Sequence, residues 1–78
     1  MSFYIRVMSD EKYQALSQRQ GQVILGLATG KSIKEISEEL SISRRMVDVH
    51  LSNARKKTQA STKEQAVAVA VKHQLIAF

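Results

Sequence analysis

The sequence contains no cysteine, no proline and no tryptophan, and its 78 residues include only three glycines and two histidines. Without cysteine, neither a disulfide bond nor a thiolate metal site can support the small core of so short a chain. His50 and His73 alone cannot form a zinc site, so we expect no metal and no cofactor. No apolar run approaches the roughly 20 residues of a membrane-spanning helix, and no signal peptide is recognisable. We therefore expect a cytoplasmic protein without a membrane partner.

The length limits the fold further. A chain of 78 residues allows one domain at most, which excludes the doubly wound and barrel folds. The absence of proline and the scarcity of glycine favour long helices over many turns. Near the start, Phe3, Ile5 and Val7 alternate with other residues in a strand-like pattern, but a lone strand has no partner. We interpret residues 1–14 as a tail or linker and residues 15–78 as the domain.

Four helical segments are predicted after this tail. Three starts match the capping box, in which a Ser or Thr and a Glu or Gln three residues later close the first turn: Ser17 with Gln20, Ser32 with Glu35, and Ser61 with Glu64. Ser43 can cap a further helix by its hydroxyl. Apolar side chains then recur at helical spacing in each segment, to about residue 74. The pattern predicts an all-α four-helix bundle.

The two middle segments, about residues 32–41 and 43–58, match a helix-turn-helix spanning about residues 32–58. At 100° per residue, the second of them has an apolar arc that should face the core. That arc contains Val47, His50, Leu51, Ala54 and Thr58. We expect His50 to be a packed, hydrogen-bonded core residue, and no side chains are arranged for nucleophilic catalysis, so we expect no enzyme and no catalytic residues.

The positive charge is concentrated in the same segment. The chain carries a formal net charge of +5 from 12 Lys and Arg against seven Asp and Glu. Residues 44–57 include five basic side chains and only one acidic side chain, Asp48, so this segment alone carries four of the five net charges. A localised basic helix favours double-stranded DNA as the partner, because neutralising phosphates dominates affinity for nucleic acids.

Several spaced motifs carry a resemblance to a known family. They are Leu16, Ser17 and Arg19 at the start, then Gly30, Ser32, Lys34, Glu35 and Ile36, and finally Leu40, Ile42, Ser43, Val47, His50 and Asn53. Residues 16–76 thereby resemble the LuxR/GerE-type helix-turn-helix domain of bacterial transcription regulators. The length of the chain is similar to that of the free-standing small members of this family, although a fragment of a longer regulator would look the same.

The resemblance implies a sequence-specific regulator whose recognition helix, about residues 43–58, enters the major groove. It places the base-reading residues at Asp48, Val49 and Ser52. We expect phosphate contacts from Ser32, Arg44, Arg45, Asn53, Lys56 and Lys57. The resemblance also implies a homodimer formed through the last helix, for which our candidates are Val67, Val69, Val71, Lys72 and Leu75.

Two departures from the family pattern keep an alternative open. Met46 stands where the family usually has Thr, and Asp48 stands where a basic base-reading residue is common. A protein that kept the fold but lost DNA affinity could pair with a full-length LuxR-type regulator and block its DNA binding. We therefore carry an antagonist with a regulator as its partner protein as the second hypothesis.

Overall fold

The computed structural model describes residues 15–76, which form four helices and contain no strand. The helices are α1 (Gln18–Ala28), α2 (Ile33–Leu40), α3 (Arg44–Lys57) and α4 (Lys63–Lys72). The predicted all-α architecture is confirmed, and α2 and α3 occupy the expected helix-turn-helix region. The predicted tail at residues 1–14 lies outside the described residues.

Serine side chains begin the first three helices, as predicted. The hydroxyls of Ser17, Ser32 and Ser43 each accept the backbone N–H three residues later, at 3.1–3.2 Å. In α1 and α2 the box is reciprocal, because the side chains of Gln20 and Glu35 accept the N–H of the capping serine. These bonds satisfy backbone donors that would otherwise lack partners in the first turn.

The predicted start of the last helix is wrong by one residue. The N-cap of α4 is Thr62, whose hydroxyl accepts the N–H of Gln65 at 3.1 Å. Ser61 lies outside the helix, and its N–H donates to the side-chain oxygen of Gln65 at 2.7 Å. Ser61-x-x-Glu64 and Thr62-x-x-Gln65 both fit the capping-box pattern, so the sequence could not distinguish the two registers. The helix also ends at Lys72, before the expected residue 74.

Each helix ends with a residue of positive φ that reverses the chain. Gly30, just after α1, has a φ of 90°, a backbone conformation that glycine adopts readily at the end of a helix. The other three helices use Ser41, Gln59 and Gln74, each at a φ of 57°. Paired hydrogen bonds return to the last turn at all four ends, for example from Ile42 N–H to Ser37 O at 3.0 Å. This geometry keeps the connections short and fixes the angle between α2 and α3.

The core lies where α3 crosses the other three helices. Its buried apolar residues come from all four helices: Val23, Ile24, Ile36, Val47, Leu51, Ala54, Ala66 and Ala70. Gly26 lets α1 and α2 approach closely, since a Cβ there would lie 2.8 Å from Cγ1 of Ile36. The core contacts bury one side of α3, and the opposite side of this helix remains exposed. Within residues 15–76, no helix is long and apolar enough to cross a membrane.

Candidate nucleic-acid interface

The buried side of α3 follows the predicted arc closely. Val47 and Ala54 are fully buried, Leu51 is nearly so, and Thr58 just after the helix is 2% exposed. The Thr58 hydroxyl donates to the carbonyl of Ala54 at 2.9 Å, which satisfies it in the core. His50 differs from the expectation, because it is only half-buried and its ring has no hydrogen-bond partner among residues 15–76. It lies at the edge of the buried arc by its helical angle.

The three predicted base-reading residues share the side of α3 that faces away from this core. Asp48 and Val49 are exposed, Val49 by 41%, and Ser52 is half-buried. At 100° per residue these three side chains span one arc of 100°. Arg45, one turn before Val49, and Lys56, one turn after Ser52, project within the same arc, and both are exposed. The arc therefore combines short side chains with a cation near each end.

Two of the three exposed cations of α3 lie in its first turn. Arg44 lies just beside the arc, Arg45 and Lys56 lie within it, and none of the three forms an ion pair within the described part of the chain. Lys57 is half-buried, and its Nζ donates to the carbonyl of Ala15 at 3.3 Å. Arg44, Arg45 and Lys56 thus present their charges to solvent, whereas Lys57 is partly held against the start of α1.

Asn53 and Arg55 occupy the flanks of α3. Asn53 is half-buried beside the arc. Arg55 turns towards α4, since its Nη1 donates to the carbonyl of Ser61 at 3.4 Å, while its Nε is buried without a hydrogen-bond partner among the residues that the structure describes. Arg55 therefore links the end of α3 to the start of α4, and Asn53 remains at the boundary of the exposed surface.

Ser32, at the start of α2, is exposed but is already paired with Glu35. The Glu35 carboxylate accepts the Ser32 N–H at 2.8 Å, and the Ser32 hydroxyl accepts the Glu35 N–H. Hydrogen bonds from the backbone and then the side chain of Ser32, with a smaller effect of Lys31, hold the pKa of Glu35 below its usual value of 4.5. A phosphate at this helix N-terminus would have to compete with that carboxylate.

The predicted dimer residues are divided between the two sides of α4. Val71 is 42% exposed and Lys72 is exposed, whereas Val67, Val69 and Leu75 are half-buried. Val67 and Leu75 pack against the core of their own chain. Since Val69 and Val71 are two residues apart, they project about 200° from each other and cannot share one contact surface.

Comparison with known proteins identifies the family of this chain. The family model of the bacterial regulatory proteins of the luxR family matches residues 14–70, which include all of α1, α2 and α3 and most of α4. The chain belongs to the luxR family.

Curated relatives of the chain include two proteins named for transcriptional regulation or activation and one named as a response regulator. An uncharacterized transcriptional regulatory protein, YhcZ of Bacillus subtilis, is 42% identical over 65 residues, 83% of this chain. The transcriptional activator protein BjaR1 of Bradyrhizobium diazoefficiens is 39% identical over 61 residues, 78% of the chain. The response regulator protein VraR of Staphylococcus aureus is 35% identical over 66 residues, 85% of the chain. The matched regions cover 30%, 25% and 32% of these relatives, so the chain spans about a third of their length or less.

Two features of this luxR-family surface could be predicted from the sequence. Arg45 lies within the arc of the predicted base readers, as its helical angle indicates. The Glu35 carboxylate accepts the backbone N–H of Ser32, as the capping-box motif indicates. The bond between Lys57 and Ala15 had no sequence signal, since 42 residues separate its partners.

Proposed function

We propose that this luxR-family chain is a sequence-specific, double-stranded DNA-binding regulator of transcription, with α3 as its recognition helix in the major groove. The names of the relatives support transcriptional regulation as the biological role. The major groove of B-DNA is about 12 Å wide and admits one α-helix. The function we propose is binding and involves no catalysis.

One observation carries this proposal. The exposed arc of α3 combines Asp48, Val49 and Ser52 with solvent-facing Arg45 and Lys56, while the opposite side of the helix is buried in the core. Short side chains at the centre let the helix approach base edges, and cations around them can contact the two phosphate strands. The same helix carries four of the five net charges of the molecule, which favours a polyanionic partner.

Each residue receives a role from its place on this surface. Asp48, Val49 and Ser52 would read base edges, with the Asp48 carboxylate accepting a hydrogen bond from cytosine N4 and Val49 contacting a thymine methyl group. Phosphate contacts would come from Ser32, Arg44, Arg45, Asn53, Lys56 and Lys57. Arg44, Arg45 and Lys56 are exposed and form no ion pair with any other residue of 15–76, which supports this role most directly.

We further propose that the regulator acts as a homodimer through α4. Two recognition helices related by a two-fold axis would then read a pseudo-palindromic site with half-sites about one helical turn apart. The exposed Val71 and Lys72 support an interface on this helix. The half-buried Val67, Val69 and Leu75 could contribute only at its margins.

The proposal is tested by selecting DNA from a random duplex pool and measuring its affinity by fluorescence anisotropy at two salt concentrations. We expect a recurrent inverted-repeat motif that binds more tightly than scrambled DNA at both salt concentrations. Asp48→Ala should lose about 1–3 kcal/mol of discrimination at one C·G pair and should bind scrambled DNA more tightly, because one repulsive carboxylate is removed. Selection of no motif, with equal affinity for all duplexes, would contradict specific recognition.

A second candidate function is supported by the same surface. The Asp48 carboxylate repels phosphates from the middle of the arc, and Met46 is 41% exposed beside it. Both features suit an antagonist that pairs with a full-length LuxR-type regulator and keeps it from DNA. In that case the parent would shift no duplex at low salt, and Asp48→Lys would create DNA affinity. Tight, specific binding by the parent would exclude the antagonist.

A further inference from the structure

The side of α3 that points away from the core has Arg45 near its centre. The buried residues that define the inner side are Val47, Leu51 and Ala54. With Asp48 at 0° and about 100° per residue, these three average about 270°, so the outward direction is near 90°. Arg45, at about 60°, lies within about 30° of the outward direction, whereas Arg44 lies about 130° from it. The two neighbouring arginines therefore leave the helix in different directions, Arg45 outwards and Arg44 to one side.

The residues around Arg45 leave its side chain free to extend. Asp48, Val49 and Ser52 share its arc, and each has a shorter side chain. Arg45 is exposed, and within residues 15–76 its side chain forms neither an ion pair nor a hydrogen bond, even with Asp48 three residues later. If this arc faces the floor of the major groove, the Arg45 guanidinium reaches further towards the bases than the three short side chains.

The position of Arg45 along α3 distinguishes it from Lys56, the other cation of the arc. Arg45 is the second residue of the helix, and the N-terminal residues of a recognition helix are those that contact base edges. Lys56 lies about 16 Å further along the helix axis. Because the groove curves around the duplex and the helix is straight, contact of the first turns with the bases leaves Lys56 near the phosphate backbone.

We infer that Arg45 reads a guanine base and is not a phosphate contact. The inference rests on the proposed DNA-binding function and changes the role of one residue within it. Guanine presents two acceptors, O6 and N7, in the major groove, and the guanidinium fork can donate to both at once. No other base offers two acceptors at that edge. An arginine directed at the bases therefore selects one base, whereas an arginine on a phosphate selects none.

Arg45 and Asp48 together then define part of the half-site. They are about 4.5 Å apart along the helix axis, and successive base pairs are about 3.4 Å apart. The two side chains therefore read neighbouring base pairs, with Arg45 on a guanine and Asp48 on the cytosine of a C·G pair. Opposite charges three residues apart on a helix also attract. The Arg45 guanidinium thereby offsets the repulsion between the Asp48 carboxylate and the phosphates.

Replacing single atoms of the DNA tests this contact. Each guanine of the selected motif is replaced in turn by 7-deazaguanine, which pairs normally and keeps O6 but has C–H in place of N7. Fluorescence anisotropy then measures the affinity of the full-length chain. We expect one guanine per half-site, next to the C·G pair identified by Asp48→Ala, at which the replacement weakens binding about fivefold. In Arg45→Ala the same replacement should change the affinity less than about twofold, because the partner of N7 is absent.

Arg44→Ala is the matched control, because it removes the same side chain one residue earlier and outside the arc. It should weaken binding to selected and scrambled duplexes alike, flatten the slope of log K against log salt by about 1, and keep the parental response to 7-deazaguanine. Arg45→Ala should leave the slope nearly unchanged, since a base contact neutralises no phosphate. It should instead lose about 5- to 150-fold of the preference for the selected duplex over one with an A·T pair at that guanine.

The inference and the proposed function fail in different ways. A uniform loss and a flattened slope in Arg45→Ala, with the same response to every 7-deazaguanine as the parent, would make Arg45 a phosphate contact and leave specific DNA binding intact. Selection of no motif would remove the proposed function itself. Thermal unfolding by circular dichroism establishes that both variants, each changed at an exposed side chain, are folded.

Discussion

Glu35 has two electrostatic roles at the start of α2. Its carboxylate accepts the Ser32 N–H at 2.8 Å and completes the capping box. It also places a negative charge at the positive end of the helix dipole, where an anion is favoured. Because the folded state holds the pKa of Glu35 below 4.5, the ionised form stabilises folding.

The direction of the pH dependence follows from that lowered pKa. The stabilisation is fully present above the unfolded-state value near 4.5 and is lost as the pH falls through the lower folded-state value. Glu35→Gln keeps an acceptor for the Ser32 N–H but has no charge to lose. We expect the difference in unfolding free energy between the parent and Glu35→Gln to decrease from about pH 6 to about pH 3. Chemical unfolding at both pH values measures it.

The α1 capping box provides the control for this experiment. Its N3 residue, Gln20, does not titrate, so Ser17→Ala should cost about 1 kcal/mol at both pH values. If the difference between the parent and Glu35→Gln is the same at both pH values, the stabilising charge at the α2 N-terminus is disproved.

At the scale of the helices, the hydrogen bonds that begin each helix were the features most readily predicted from the sequence. The starts of α1, α2 and α3 depend on bonds between residues three apart, and the capping serines reveal them. The start of α4 was predicted one residue early because Ser61 and Thr62 offer the same pattern in two registers. The core arc of α3 was also predictable, since Val47, Leu51 and Ala54 recur at helical spacing. His50 lies at the margin of that arc, where helical spacing alone does not determine how deeply a side chain is buried.

The contact between α1 and α2 depends on a missing side chain. Gly26 is buried within α1, and a Cβ there would lie 2.8 Å from Cγ1 and 2.9 Å from Cδ1 of Ile36. Ordinarily, alanine in place of a helical glycine is favourable by about 1 kcal/mol. Here the close approach of Ile36 opposes that gain, because crowding a packed core costs about 1–3 kcal/mol.

We therefore expect Gly26→Ala to lower the unfolding free energy by about 1 kcal/mol, measured by urea unfolding. Gly21→Ala on the same helix is the matched control. A Cβ at Gly21 meets only Ile76, at 3.1 Å and near the end of the described chain, where a small shift is less costly. The control should be neutral or more stable than the parent by up to about 1 kcal/mol. Stabilisation by both alanines would refute the packing argument for Gly26.

Across the whole molecule, charge is distributed unevenly between the helices. The α3 helix carries a net charge of +4, whereas α2 has one Lys and three Glu and a net charge of −2. The sequence alone predicted this concentration of charge, because it depends only on residue order. The sequence alone could not predict which cations are held by hydrogen bonds within the chain. The hydrogen bonds of Lys57 to Ala15 and of Arg55 to Ser61 depend on the assembled fold.

This distribution makes the salt dependence of DNA binding a test of the whole surface. Each phosphate that a cation neutralises contributes about 0.9 to the slope of log K against log salt. Lys56→Ala should therefore weaken binding to specific and scrambled duplexes alike and flatten the slope by about 1. Lys57→Ala should do the same, because its exposed bond to the Ala15 carbonyl can be exchanged for a phosphate.

Lys63→Ala is the control for this last experiment, since it removes the same charge from α4, outside the recognition helix. If the affinity responded only to net charge, all three variants would weaken binding equally through the long-range field. Direct contact predicts instead that the Lys63→Ala slope stays at the parental value while the slopes of the two α3 variants change. Anisotropy titrations at four or more salt concentrations distinguish the two cases. An unchanged slope in Lys56→Ala would mean that the exposed cation of the arc is only solvated and that α3 meets DNA in another orientation.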